Sequence, residues 1–135
     1  MSSHDEPMEM LFRASRAVMR QLSSALVGLD LSGPQYLVLK AIDRDKISQR
    51  EIVNRTGMDK STVTDVIRRL ETAGLVERHG SEDDGRSKLA EVTRDGWKKL
   101  KQARHAARKV EERVEMIACP EISFFDAVSG LIRNA

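Results

Sequence analysis

In 135 residues the chain has one cysteine, one tryptophan, one tyrosine and three phenylalanines. With Cys119 alone, no intrachain disulfide framework can form, which fits a reducing compartment. No apolar run approaches the roughly 20 residues needed to cross a bilayer, and the start "MSSHDEPMEM" lacks the pattern of a signal peptide. The expectation is a cytoplasmic protein with no membrane partner. Aromatics at 4% are too few for a base-stacking platform for single strands, so the core must be built from Leu, Val, Ile, Met and Ala. No Gly-rich phosphate loop, nucleophile elbow or paired-carboxylate constellation is present, so no catalytic residue, cofactor or enzymatic activity is expected. His4, His79 and His105 are scattered, with no two at ligand spacing, and a metal site is not expected either. Cys119 lies just ahead of Pro120 and reads as a structural thiol.

What is present is charge, at 33% of residues, in a pattern that differs along the chain. Residues 93–119 carry Arg94, Lys98, Lys99, Lys101, Arg104, Arg108, Lys109 and Arg113 against Asp95, Glu111, Glu112 and Glu115. Residues 32–92 balance acids against bases. With a net charge of only +2, any surface for a polyanion must come from placement, not from bulk charge.

Periodicity divides the chain into helices and one hairpin. From Pro7, Met8, Leu11, Phe12, Met19, Leu22 and Leu26 recur at steps of three and four, predicting one long amphipathic helix that ends near Gly28. Ser32 with Gln35 reads as a capping box opening a second helix, whose buried stripe is Tyr36, Val38, Leu39 and Ile42. Ser48 with Glu51 reads as another, for a short helix closed by Gly57. Asp59 is then an N-cap for "KSTVTDVIRRLETAG". Two short helices across a glycine turn make a helix-turn-helix. "LVERH" and "LAEVT" around the loop "SEDDGRSK" add a β-hairpin. A heptad seam of Leu100, Ala103, Ala107, Val110, Val114 and Ile117 predicts a long helix that either meets a second copy of the chain or packs into the core of its own. A last helix carries Ile122, Phe124, Phe125, Val128, Leu131 and Ile132, more apolar surface than so short a segment can leave in water.

The second helix of the pair carries the chemistry. Val63, Val66, Ile67 and Leu70 fall on one face, which puts Ser61, Thr64, Asp65 and Arg68 on the other. Short hydroxyls at a helix N-terminus can enter a major groove, and Arg68 and Arg69 can reach guanine or phosphate.

With these residues in view, "LSGPQYLVLKAI", "SQREIVNRTGMDKSTVTDVIRRLETAGLVER" and "EDDGRSKLAEVTRDG" together resemble the MarR family of bacterial transcriptional regulators, from about Leu31 to Gly96. The resemblance implies a mainly α fold with a small β-hairpin wing. It divides the chain into an N-terminal dimerisation helix at 1–31, a winged helix-turn-helix lobe at 32–93 and C-terminal dimerisation helices at 94–135. It also implies a homodimer on a pseudo-palindromic operator in double-stranded DNA, acting as a repressor of its own or an adjacent operon and released by a small aromatic or anionic ligand. Carried over by position, Ser61, Thr62, Thr64, Asp65, Arg68 and Arg69 would face the major groove. Arg86 would enter the minor groove, with Asp84 shaping the turn and Lys88 near a phosphate. Phe12, Arg16, Met19, Tyr36 and Arg104 would line a ligand pocket. The chain departs from the family pattern at Asp65, an acid on a DNA-facing helix that can accept from cytosine N4, and mildly at Val92. The competing reading from another class is a winged-helix module used only for protein contacts.

Overall fold

The computed structural model describes residues 6–80, 88–118 and 124–133. Its elements are α1 (Pro7–Ala25), α2 (Gly33–Ile42), β1 (Ile47–Ser48), α3 (Gln49–Thr56), α4 (Lys60–Thr72), β2 (Val76–Gly80), β3 (Lys88–Val92), α5 (Arg94–Ala118) and α6 (Phe124–Arg133). The winged helix-turn-helix lobe runs from α2 to β3, and α1, α5 and α6 form a helical arm.

The lobe is assembled from local signals. At α2 both halves of the capping box form: Gln35 N–H donates to Ser32 Oγ at 3.2 Å, and Ser32 N–H donates to Gln35 Oε1 at 2.7 Å. At α3 only half forms. Glu51 N–H donates to Ser48 Oγ at 3.2 Å, but the Glu51 carboxylate turns away to accept from Arg55 Nε at 3.1 Å. Gly57, at φ +75, takes the left-handed position that ends α3 and lets the chain turn within two residues to the Asp59 cap of α4.

β1 was not anticipated. It pairs with β3 (Ile47 opposite Ala90), making a sheet of order β1-β3-β2 in which β2 and β3 run antiparallel from Val76↔Val92 out to Gly80↔Lys88. The core lies between this sheet and the helices. It contains Tyr36, Val38, Leu39, Ile42, Ile52, Val63, Ile67, Leu70, Val76 and Val92. Gly96 closes the lobe onto α5. A Cβ there would lie 2.1 Å from the Leu75 carbonyl oxygen, so only glycine allows the approach.

The arm departs from expectation in two places. α1 ends at Ala25, earlier than Gly28, and a 3-10 turn at Val27–Leu29 follows. Of its predicted apolar stripe, Leu22 and Leu26 are buried and Met19 packs against the core, while Met8, Leu11 and Phe12 are exposed, Phe12 by 66%. The α5 seam is also divided. Leu100, Ala103, Ala107 and Val110 are buried inside this subunit, because α1 and α2 pack alongside that half of the helix. Only Val114 and Ile117 continue the seam into the open, with Ile117 64% exposed. Lys99 Nζ donates to the Leu29 carbonyl at 2.9 Å and Arg113 Nη1 to Gln21 Oε1 at 2.9 Å, tying α5 to α1 and the turn after it. On α6, Leu131 and Ile132 are 67% and 68% exposed. Cys119, Ile122 and the side chains of Phe124 and Phe125 lie outside the described residues.

Candidate nucleic-acid interface

α4 is two-faced as its spacing predicts. Val63, Val66, Ile67 and Leu70 are buried, whereas Ser61, Thr64, Arg68 and Arg69 are exposed and Thr62 and Asp65 half-buried. The outward polar groups are not idle. Asp59 accepts from Thr62 N–H at 3.1 Å, from Thr62 Oγ1 at 2.6 Å and from the Ser61 hydroxyl. The Ser61 hydroxyl first, then the Thr62 hydroxyl and N–H, hold the Asp59 carboxyl down to about 2. A hydroxyl has one proton to give. With those protons spent on Asp59, Ser61 and Thr62 offer lone pairs to a base edge, and must give up Asp59 before they can donate to a phosphate.

Asp65 is engaged within its own helix. Its carboxylate is held between Arg69 Nε, at 2.9 Å, and Arg68 Nη2, both on its own helix. The hydrogen bond from Arg69, then that from Arg68, keeps the Asp65 carboxyl below the usual carboxylate range. In this arrangement Asp65 orients two guanidinium groups.

Sequence reasoning missed a third set of contacts. Thr64 Oγ1 donates to the Lys60 carbonyl at 2.8 Å and accepts from Gln49 Nε2 at 2.6 Å. Gln49 Oε1 in turn accepts from Arg78 Nη2 at 3.4 Å. Gln49 at the start of α3 thus joins the exposed face of α4 to the base of the hairpin. Lys88 stands exposed at the mouth of the hairpin, opposite Gly80. Asp84 and Arg86, on which the minor-groove expectation rests, lie outside the described residues.

Behind this face, a groove of about 600 Å³ separates α1 from the start of α4. Phe12, Arg16 and Met19 line one side, and Met58, Asp59 and Thr62 the other. The Arg16 guanidinium lies 5.9 Å from the centroid of the Phe12 ring. Tyr36 and Arg104, expected in the same pocket, are elsewhere. Tyr36 is buried and donates to Glu111 Oε1 at 2.6 Å; burial, then this bond, pushes its hydroxyl well above the usual phenol value. Arg104 reaches Asp43 at 3.5 Å. Among the described residues no group of three His, Cys, Asp or Glu is placed to hold a metal, and no helix is long and apolar enough to cross a membrane.

Comparison with known proteins accounts for this arrangement. Residues 29–87 match the sequence model of the MarR family. An HTH-type transcriptional repressor of Mycobacterium tuberculosis H37Rv is 31% identical over 106 residues, which is 78% of this chain and 76% of that one. The chain belongs to the MarR family.

It is a winged-helix, DNA-binding transcriptional regulator. The organic hydroperoxide resistance transcriptional regulator of Bacillus subtilis is 32% identical over 88 residues, 64% of this chain and 60% of that protein, so the match spans less than two thirds of the relative's length. CouR from Rhodococcus jostii RHA1, solved bound to p-coumaroyl-CoA, superposes with a TM-score of 0.73 at 25% identity, over 99% of this chain and 91% of that one. The MarR sequence model matches the lobe, while that structural likeness extends through α1 and α5.

Proposed function

We propose that this MarR-family chain represses transcription as a homodimer and is released from DNA by a small anionic, aromatic ligand. The observation that carries the reading is α4, with four aliphatic side chains buried in the lobe and Ser61, Thr62, Thr64, Arg68 and Arg69 turned outward. In a two-fold dimer, two such helices enter successive major grooves about 34–36 Å apart, which calls for a pseudo-palindromic operator. Arg86 and Lys88 of the hairpin extend the contact to the minor groove and the backbone. The unpartnered apolar side chains of α1, α5 and α6 supply the dimer surface.

The groove beside α4 suits the ligand. Arg16 and Arg20 supply cations for a carboxylate or phosphate, and Phe12, Met19 and Met58 supply apolar wall for a ring. Its far side includes Asp59 and Thr62, so an occupant bears directly on the N-cap of α4. CouR, bound to p-coumaroyl-CoA, gives a precedent for an anionic, aromatic ligand on this fold.

The test is titration of a fluorescently labelled duplex carrying the chain's own promoter region at two salt concentrations. Tight binding at low salt is expected, with log K falling by about 0.9 per log unit of salt for each phosphate neutralised. No binding at low salt would overturn the regulator reading and leave a protein-contact module.

A further inference from the structure

Resting on the DNA-binding reading of α4, we infer that Asp65 is a positioning residue that sets specificity by competition, holding Arg68 and Arg69 away from phosphates until a matching sequence draws them off. Three observations carry this. Asp65 stands three and four residues before the two arginines, the spacings at which helix side chains meet. Each of its oxygens is taken by a different arginine, Oδ1 by Arg68 and Oδ2 by Arg69, so the two guanidinium groups are forked around one carboxylate. All three groups remain solvent-accessible, with side-chain exposures of 71% for Arg68, 66% for Arg69 and 42% for Asp65, so DNA can reach and displace the pair.

The consequence follows from what each DNA offers. Any duplex presents phosphates, which attract a guanidinium whatever the sequence. Taking Arg68 or Arg69 to a phosphate means giving up a charge-assisted bond to Asp65 and leaving that carboxylate beside the polyanion. Only a site whose base edges repay both losses, such as guanine O6 and N7 meeting an arginine fork, is favoured. Asp65 thereby weakens binding to arbitrary DNA more than binding to the operator. A direct contact from Asp65 to cytosine N4 would share the carboxylate with the two arginines.

The experiment compares the full-length protein with Asp65→Asn on two probes: a random-sequence duplex, and the duplex enriched by the unaltered protein from a random pool. Asp65→Asn is expected to tighten binding to the random duplex about ten-fold at low salt, to tighten binding to the enriched duplex less, and to steepen the salt slope by about 0.9 for each arginine freed. The decisive arm repeats Asp65→Asn in an Arg68→Gln, Arg69→Gln background. If Asp65 acts through the arginines, the gain disappears there. If the gain persists, Asp65 merely repels phosphates and the inference is overturned. It is also overturned if Asp65→Asn changes base preference at one position per half-site without changing affinity for the random duplex. Absence of binding by the unaltered protein to both probes removes the regulator reading itself, and this inference with it; binding that Asp65→Asn leaves unaltered removes the inference alone.

Discussion

The outward face of α4 and the apolar faces of the helical arm are both exposed, but the chain satisfies them to very different degrees. On α4, Ser61 and Thr62 are tied to Asp59, Thr64 to Lys60 and Gln49, and both arginines to Asp65. On the arm, Phe12, Ile117, Leu131 and Ile132 stand exposed. A polar face can be satisfied by its neighbours and later exchange them for phosphates and base edges, because exchanging hydrogen bonds costs little net free energy. An apolar face has no such substitute; only another apolar surface covers it. The lobe is therefore complete in one copy, whereas the arm leaves apolar surface uncovered, which is what the proposed dimer would bury.

The strongest way to break that contrast is to attack the lobe from inside. Leu70 is fully buried on the inner face of α4. Leu70→Ala should cost about 2–5 kcal/mol, read as a lower denaturant midpoint. The loss belongs to the lobe itself, so a midpoint unchanged within error would mean that the lobe is not the self-sufficient half.

A paired Leu131→Ser, Ile132→Ser substitution attacks the other side. Each side chain withdrawn from apolar contact should weaken association by about 1.5–3 kcal/mol while leaving the lobe packing intact. Sedimentation at micromolar concentration should show a shift from dimer to monomer. A variant that remains as dimeric as the unaltered chain would place the interface elsewhere on the arm.

The same contrast governs how much of the molecule is legible in its sequence. The caps at Ser32 and Asp59 and the inner stripe of α4 were legible because each depends on residues three or four apart. The sheet was half legible. β2 and β3 were readable as two short runs flanking a glycine-containing loop, but β1 is Ile47–Ser48 alone, too short to have a period. Gln49 escaped notice because its partners, Thr64 and Arg78, are 15 and 29 positions away. The heptad seam on α5 was ambiguous for a physical reason. A period of 3.5 states that a helix has an apolar stripe, not whether the stripe meets its own chain or another. Past Val110 the stripe leaves the core of its own subunit for the exposed surface with no change of spacing. Of the five residues expected to share a pocket, Phe12, Arg16 and Met19 do so because they lie on one helix. Tyr36 was lost to the core, and Arg104 to Asp43. The acid at position 65 was visible as an anomaly, and its ion pairs with Arg68 and Arg69 were already implied by their spacing.

The smallest effect, and the most diagnostic of how the polar face is held, is the pH dependence of the α4 cap. Asp59 in the folded chain sits at about 2, below the value of about 3.9 for an unfolded aspartate. A carboxyl depressed on folding contributes stability that is complete above pH ~3.9 and lost as pH falls through its folded value. Asp59→Asn cannot titrate, yet it keeps one oxygen for the Thr62 N–H, and asparagine caps helices about as well as aspartate. Near neutral pH the helix cap is therefore kept, and the variant should melt below the unaltered chain only by what the lost hydroxyl bond to the second oxygen contributes. Between pH ~4 and pH ~2 the unaltered chain should lose stability relative to the variant, because only its cap is being protonated; every other carboxylate is common to both and cancels in the difference. Melting curves that stay parallel through that range would mean the Ser61 and Thr62 hydroxyls are not bound to an ionised Asp59. With a single oxygen at position 59 the side chain can no longer receive both hydroxyls as the carboxylate does, so at neutral pH the variant should also bind random-sequence duplex slightly more tightly, by way of the hydroxyl it releases to phosphate.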